Sequence, residues 1–217
     1  MKIAGFQKFS TIDFPRKMSA VVFVPGCNFR CTYCHNRELL KSPVNLIDEE
    51  EVLGFLKIRA KFLKGIVITG GEPTLQKDLR GFIRKVKEIG YEVKLDTNGS
   101  DAETVIRLIR DQMINYIAVD LKVPDSFHQK ICGSENIQEN LQKILKEDIE
   151  AEVRTTVLPF MTEELFEEMA AEIFPKVKRG EVKYYLQPLR EEGKVNKESI
   201  EVIKKIAGKF PFLETRI

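Results

Sequence analysis

The chain has 217 residues, 35 of them Lys or Arg and 33 Asp or Glu, so its net charge is +2. With 43% hydrophobic and 31% charged residues it has the profile of a folded globular protein, which argues against a disordered chain. No apolar run approaches the roughly 18 residues of a membrane span. The balanced charge lacks the basic excess of a nucleic-acid binder, and the opening MKIAGFQKFSTIDF has no apolar signal-peptide core, so the cytoplasm is the expected compartment.

Runs of β character alternate with runs of helical period. Strands are predicted at residues 19–24, 65–69, 91–96, 116–121, 151–158 and 181–186, all rich in Val, Ile, Tyr or Thr. The first two read AVVFV and GIVIT, continuous apolar runs that suit parallel strands buried on both faces. Helices are predicted at 48–63, 75–89, 101–113, 137–146, 163–174 and 197–209. The second of these sets Leu79, Phe82, Ile83 and Val86 on one face and stops at Gly90. Pro124, Pro159 and Pro175 fall in breaks between elements. Six βα units result, and no linker or repeat divides them, so one α/β domain over residues 1–217 is expected. A closed eight-unit barrel takes about 250 residues. The choice is therefore between an open doubly wound sheet and an incomplete six-unit barrel. In either, the site lies at the C-terminal ends of the strands.

The strand ends carry the reactive residues. The first strand runs into PGCNFRCTYCHNRE and the second into TGGEPT; the third ends in Asp96, Thr97, Asn98 and Gly99, the fourth in Asp120, Leu121 and Lys122. Arg154 and Thr156 lie on the fifth, and the sixth runs into Gln187, Pro188 and Arg190. Cys27, Cys31 and Cys34 stand within eight residues, and Cys132 follows 98 residues after Cys34. Thiolates take soft metals, chiefly zinc or iron–sulfur clusters. Structural zinc uses four ligands, usually in two separated pairs, and no second pair exists here. His35, next to Cys34, is awkwardly placed as a fourth ligand, and Cys132 serves only if the fold brings it over. Four cysteines commonly hold a four-iron cluster, so three leave one iron with an open position, which is a catalytic feature. An iron–sulfur cluster is the reading, with three reduced thiols of structural zinc type as the alternative. Cys132 reads as a small core residue or passive thiol, His35 as a local hydrogen-bonding residue, and His128 as a solvated side chain in a polar loop.

CxxxCxxC after the first strand, with GGEP after the second, resembles the radical S-adenosylmethionine (SAM) superfamily. The resemblance implies a partial (β/α)6 TIM-like barrel. It also implies a [4Fe–4S] cluster on Cys27, Cys31 and Cys34, whose open iron is chelated by the amino and carboxylate groups of SAM. Tyr33 matches the aromatic residue before the third cysteine. Gly70, Gly71, Glu72 and Pro73 match the motif that contacts the methionine amino group. The implied chemistry is one-electron cleavage of a carbon–sulfur bond to a 5′-deoxyadenosyl radical that abstracts hydrogen. That requires a low-potential electron donor, flavodoxin or ferredoxin.

A closer resemblance rests on GFQKFSTIDFP, CHNR, TGGEPTLQ, LDTNG and VDLK. These are similar to the activating enzymes of glycyl-radical enzymes, above all those of anaerobic ribonucleoside-triphosphate reductases. The implied substrate is a backbone glycine of a partner protein. By that likeness Asp13 lies near the partner's glycine loop. Asp96, Thr97 and Asp120 belong to a monovalent-cation site beside the SAM carboxylate. Asn98 and Lys122 lie near the cofactor, and Arg154 meets the carboxylate with paired donors. Two positions depart from the pattern: Arg16 stands where the family has glycine, and Arg190 stands about where the pyruvate formate-lyase type has histidine. The alternatives are a radical SAM enzyme acting on a small molecule, such as a nucleoside precursor, and a non-enzymatic zinc or iron–sulfur protein.

Overall fold

A computed structural model describes residues 1–40, 45–134, 137–191 and 193–216. All six predicted strands are present: β2 (Ser19–Val24), β3 (Gly65–Gly70), β4 (Glu92–Thr97), β5 (Tyr116–Asp120), β6 (Glu150–Val157) and β7 (Val182–Pro188). They pair in sequence order, each parallel to the next. The barrel alternative is therefore the correct one, built as an incomplete ring. Two further strands extend it: β1 (Gly5–Ser10) pairs antiparallel with β2, and the two-residue β10 (Glu214–Thr215) pairs parallel with β7. The eight strands are not those of a closed barrel, because β1 and β10 end the hydrogen-bonded order. A small hairpin, β8 (Arg190–Glu191) with β9 (Lys194–Val195), follows β7.

The helices are α1 (Glu49–Arg59), α2 (Leu79–Ile89), α3 (Ala102–Arg110), α4 (Asp125–Cys132), α5 (Gln138–Ile144), α6 (Glu163–Ala170), α7 (Phe174–Lys178) and α8 (Lys197–Lys209). Most are shorter than predicted. Residues 73–75 form a 3-10 turn ahead of α2, which starts only at Leu79. The helix expected over 163–174 is two, α6 and α7, with Pro175 in the first turn of the second. Gly90 ends α2 as expected, in the left-handed region at φ 104°.

Period two divides each strand between two environments. One set of residues (Ala20, Val22, Ile66, Ile68, Val93, Leu95, Ile117, Val119, Val153) is 0% exposed and packs in the main core with the helices. Each Val, Ile or Leu among them contributes about 1.5–3 kcal/mol of hydrophobic stabilisation. The other set faces the barrel interior. At the N-terminal end it forms a small cluster of Val21, Val67 and Tyr116 under Phe14, which the loop after β1 folds inward. Toward the C-terminal end this face turns polar: Asp96, Asp120 and Arg154. The AVVFV and GIVIT runs thus have two apolar faces, whereas β4 and β6 have only one.

Candidate functional site

The inward polar residues and the cysteine loop enclose a cavity of about 340 Å3. Its lining holds thirteen of the fifteen positions singled out from the sequence: Asp13, Cys27, Cys31, Tyr33, Cys34, Gly70, Gly71, Asp96, Thr97, Asn98, Asp120, Lys122 and Arg154. Glu72 and Pro73 are buried beside it and do not line it.

Backbone bonds from several elements hold the cysteine loop. The Gly26 N–H donates to the Leu39 carbonyl (2.9 Å), Arg30 N–H to Cys132 (2.7 Å) and Thr32 N–H to Ile131 (2.9 Å). Cys31, between the last two, is thereby laid against the end of α4. Cys27 Sγ accepts the Phe29 N–H at 3.3 Å and the Asn98 amide at 3.7 Å. Burial nonetheless pushes the Cys27 thiol up. Cys31 goes the other way, to about 7, because the Cys132 thiol donates to it and Lys122 lies nearby, against the effect of burial. Cys132 is 0% exposed, as a small core residue should be, yet it abuts Cys31 and is more than a bystander.

The glycines of the second motif are fixed by close backbone approach. A Cβ on Gly71 would stand 1.8 Å from the Gly26 carbonyl oxygen. On Gly70, at φ +112°, it would stand 2.6 Å from Val24 N. The Gly71 N–H donates to Val24 (2.8 Å) and the Glu72 N–H to Gly26 (2.8 Å), so this segment is riveted to the start of the cysteine loop. The Glu72 carboxylate, 0% exposed, accepts from the Asn98 N–H (2.7 Å), the Thr97 hydroxyl (2.8 Å) and both the N–H (3.1 Å) and hydroxyl (2.7 Å) of Thr74. Burial outweighs these donors and raises its pKa. Glu72 thus joins the ends of β3 and β4 from below, and only the two glycines of this motif line the cavity.

Asn98 caps its own turn, accepting the Ser100 N–H at 2.9 Å, and donates to Asn28 Oδ1 at 2.9 Å. Asn98 thus closes the turn after β4 and also lines the cavity.

The expected cation site is different in kind. Arg154 lies between the two aspartates, with Nη1 3.0 Å from Asp96 Oδ2 and Nε 2.8 Å from Asp120 Oδ1. Lys94 stands 3.3 Å from Asp96 Oδ1 and Lys122 2.9 Å from Asp120 Oδ2. The Thr97 hydroxyl is turned to Glu72 and to the Gly99 N–H. Side-chain cations thus occupy the oxygens that a monovalent ion would need, and the paired donors of Arg154 are on carboxylates of this chain. Burial disfavours ionisation of Asp96 and Asp120, but the Arg154 guanidinium, with Lys94 at the first and Lys122 at the second, overrides it and holds both below the usual carboxylate range.

Sequence reasoning missed several features. His128 is not solvated: it sits on α4 at 1% exposure, with Nδ1 3.0 Å from the Ser134 carbonyl and its ring edge-on to Phe29 at 5.4 Å. The i, i+4 spacing of His128 and Cys132 was the available signal. His35 lines the cavity, and burial, then Arg190 and Lys122, lowers its pKa. Lys94 and Glu152 are 2% and 0% exposed inside the barrel. Each stands two residues before a predicted site residue on the same strand, so period two alone would have placed them on the inner face.

Among the described residues no three His, Cys, Asp or Glu side chains converge on one metal ion. A polynuclear cluster gives each thiolate its own iron. The three half-buried cysteines beside one cavity fit such a group.

Comparison with known proteins agrees. The sequence matches the description "Radical SAM superfamily" over residues 21–173. A Methanocaldococcus jannaschii protein described as "Putative glycyl-radical enzyme activating enzyme" is 40% identical over 178 residues, covering 77% of this chain and 73% of that protein. The pyruvate formate-lyase 1-activating enzyme of Escherichia coli is 28% identical over 169 residues, covering 73% and 68%. A GTP 3′,8-cyclase of Helicobacter pylori is 29% identical over 213 residues, covering 87% of this chain but 62% of the cyclase. Among solved structures, Streptococcus suis SuiB bound to its precursor peptide SuiA shares the fold, with TM-score 0.67 and 14% identity over 91% of this chain and 48% of that one.

Proposed function

The chain belongs to the radical SAM superfamily, and from that premise we propose that it is an activating enzyme that installs a glycyl radical on a partner of the anaerobic ribonucleotide reductase type. It is an enzyme of the radical SAM type, a family that works with a [4Fe–4S] cluster and SAM. In this reading Cys27, Cys31 and Cys34 hold the cluster, while Gly70, Gly71, Asn98, Lys122 and Arg154 surround SAM. When bound, the two groups supply a carbon radical able to remove a hydrogen atom from an unactivated carbon. The protein contributes placement and polarity. The Phe29 N–H and the Asn98 amide support a thiolate at Cys27. Lys122 and Arg154 line the cavity beside Asp96 and Asp120, which balance their charge, so a carboxylate entering there would share donors already engaged with these aspartates. Val21, Phe23 and Phe29 give it an apolar wall. Flavodoxin or ferredoxin is the proposed electron donor.

The observation that carries the protein-substrate reading is a second hollow of about 930 Å3, which shares Tyr33, Cys34 and His35 with the first. The first cavity lies at the low end of the roughly 300–1,000 Å3 of small-ligand sites, the size for small cofactors and not for a protein loop. The second runs along Leu158, Phe160 and Arg190, an apolar floor with a charged rim that suits a protein loop. The match to GTP 3′,8-cyclases favours a nucleotide substrate as the second reading.

The test uses a partner enzyme whose glycines carry α-deuterium. Anaerobic turnover with SAM and reductant is expected to give deuterated 5′-deoxyadenosine. Unlabelled 5′-deoxyadenosine, formed faster when GTP is added, would overturn the activase reading in favour of the second.

A further inference from the structure

Seven charged side chains of alternating sign cross the barrel interior: Arg216, Glu152, Lys94, Asp96, Arg154, Asp120 and Lys122. Arg216 Nη2 lies 2.8 Å from Glu152 Oε2, and Lys94 Nζ lies 3.3 Å from Glu152 Oε1 and 3.3 Å from Asp96 Oδ1. Arg154 and Lys122 continue the chain at 2.8–3.0 Å. The last four members line the cavity; Lys94, Glu152 and Arg216 do not. Tyr116 adds a hydrogen bond to Glu152 at 3.1 Å.

Stability does not account for the hidden half. A buried ion pair is often no better than well-packed apolar residues of the same volume, while loss of one partner is costly. Lys94 differs from a simple pair member because it is a junction. Its ammonium also donates to the Asp13 carbonyl at 2.7 Å, on the loop that follows β1. Asp96 Oδ1 is buried without a hydrogen bond, so the Lys94 charge is what faces it. One ammonium therefore ties the Asp13 loop to Asp96, and Asp96 in turn fixes one arm of Arg154.

We propose that Lys94, held by Glu152 and Arg216, is a positioning residue that fixes the loop of Asp13 and sets the Asp96–Arg154 pair for SAM binding. This rests on the SAM reading of the cavity. Lys94 acts through its neighbours and reaches no reacting atom.

Three variants separate positioning from support: Lys94→Met, Lys94→Arg, and Lys94→Met combined with Glu152→Met. Two readouts need no turnover. One is amide hydrogen exchange of residues 11–18 in cofactor-free protein, and the other is SAM binding by equilibrium dialysis to reconstituted protein of matched iron content. Lys94→Met is expected to speed exchange in that loop and weaken SAM on the order of tenfold, the effect of one lost charge-assisted contact. The double variant is expected to regain part of the melting temperature that Lys94→Met loses, without regaining SAM affinity or loop protection, and Lys94→Arg to regain part of both. Recovery of binding and protection together with stability in the double variant, or wild-type behaviour of Lys94→Met, would overturn the proposal. If the wild-type protein binds no SAM, the cavity reading fails, and unchanged exchange in Lys94→Met would then overturn the positioning role by itself.

Discussion

Gly71 has no space for a side chain: the Cβ of an alanine would collide with the Gly26 carbonyl, and both belong to the frame of the site. Gly71→Ala is expected to cost about 1–3 kcal/mol, as overpacking does, and to displace the cysteine loop. Gly81, inside α2, has open space where a methyl group would stand, with no atom within 4 Å, and Gly81→Ala is expected to stabilise by about 0.5–1 kcal/mol. Chemical denaturation of the two variants checks both signs. Cys31 makes a sharper demand, since three thiols leave none to spare. Cys31→Ala is expected to abolish SAM cleavage and deplete cluster iron while far-ultraviolet circular dichroism stays native. Such residues were legible because their motifs are local in sequence. Lys94 and Glu152 were legible only as inner-face positions, through period two; their pairing was not, because they lie 58 residues apart and only the folded register brings them together.

At the level of elements, the six parallel strands were legible from apolar runs and βα spacing, and they carry the site on their C-terminal ends. β1 and β10 were missed for physical reasons. An edge strand with one partner shows only half the pattern, and two residues show none. α4 was missed because its sequence, DSFHQKIC, reads as polar, though His128 and Cys132 share its buried face. The strand-end aspartates also set an acid response. Asp96 and Asp120 titrate below the ordinary carboxylate range, near pH 4. Their contribution to stability is therefore complete above that range and lost as pH falls through their lowered values. Thermal melting from about pH 6 down to about pH 2 is expected to show a progressive fall that begins near pH 4 and continues to the acid end, and Asp120→Asn, already destabilised, a shallower one. Parallel curves for the two proteins would contradict this.

The molecule as a whole is an incomplete barrel whose interior changes from apolar to ionic along the strands, with the cysteine loop over the ionic end. That order explains why one cavity gathers residues from distant parts of the chain, from Asp13 to Gln187. The monovalent-cation site was the part the sequence could not decide, because a shared motif does not reveal that Arg154 lies between the aspartates. In the proposed reaction a partner glycine becomes the radical. Its most direct test is electron paramagnetic resonance of the anaerobically reconstituted, reduced protein mixed with SAM and an anaerobic ribonucleotide reductase. The predicted result is a glycine-centred radical on the reductase that needs both SAM and the three cysteines. A reductase that stays radical-free while SAM is cleaved would rule this reaction out.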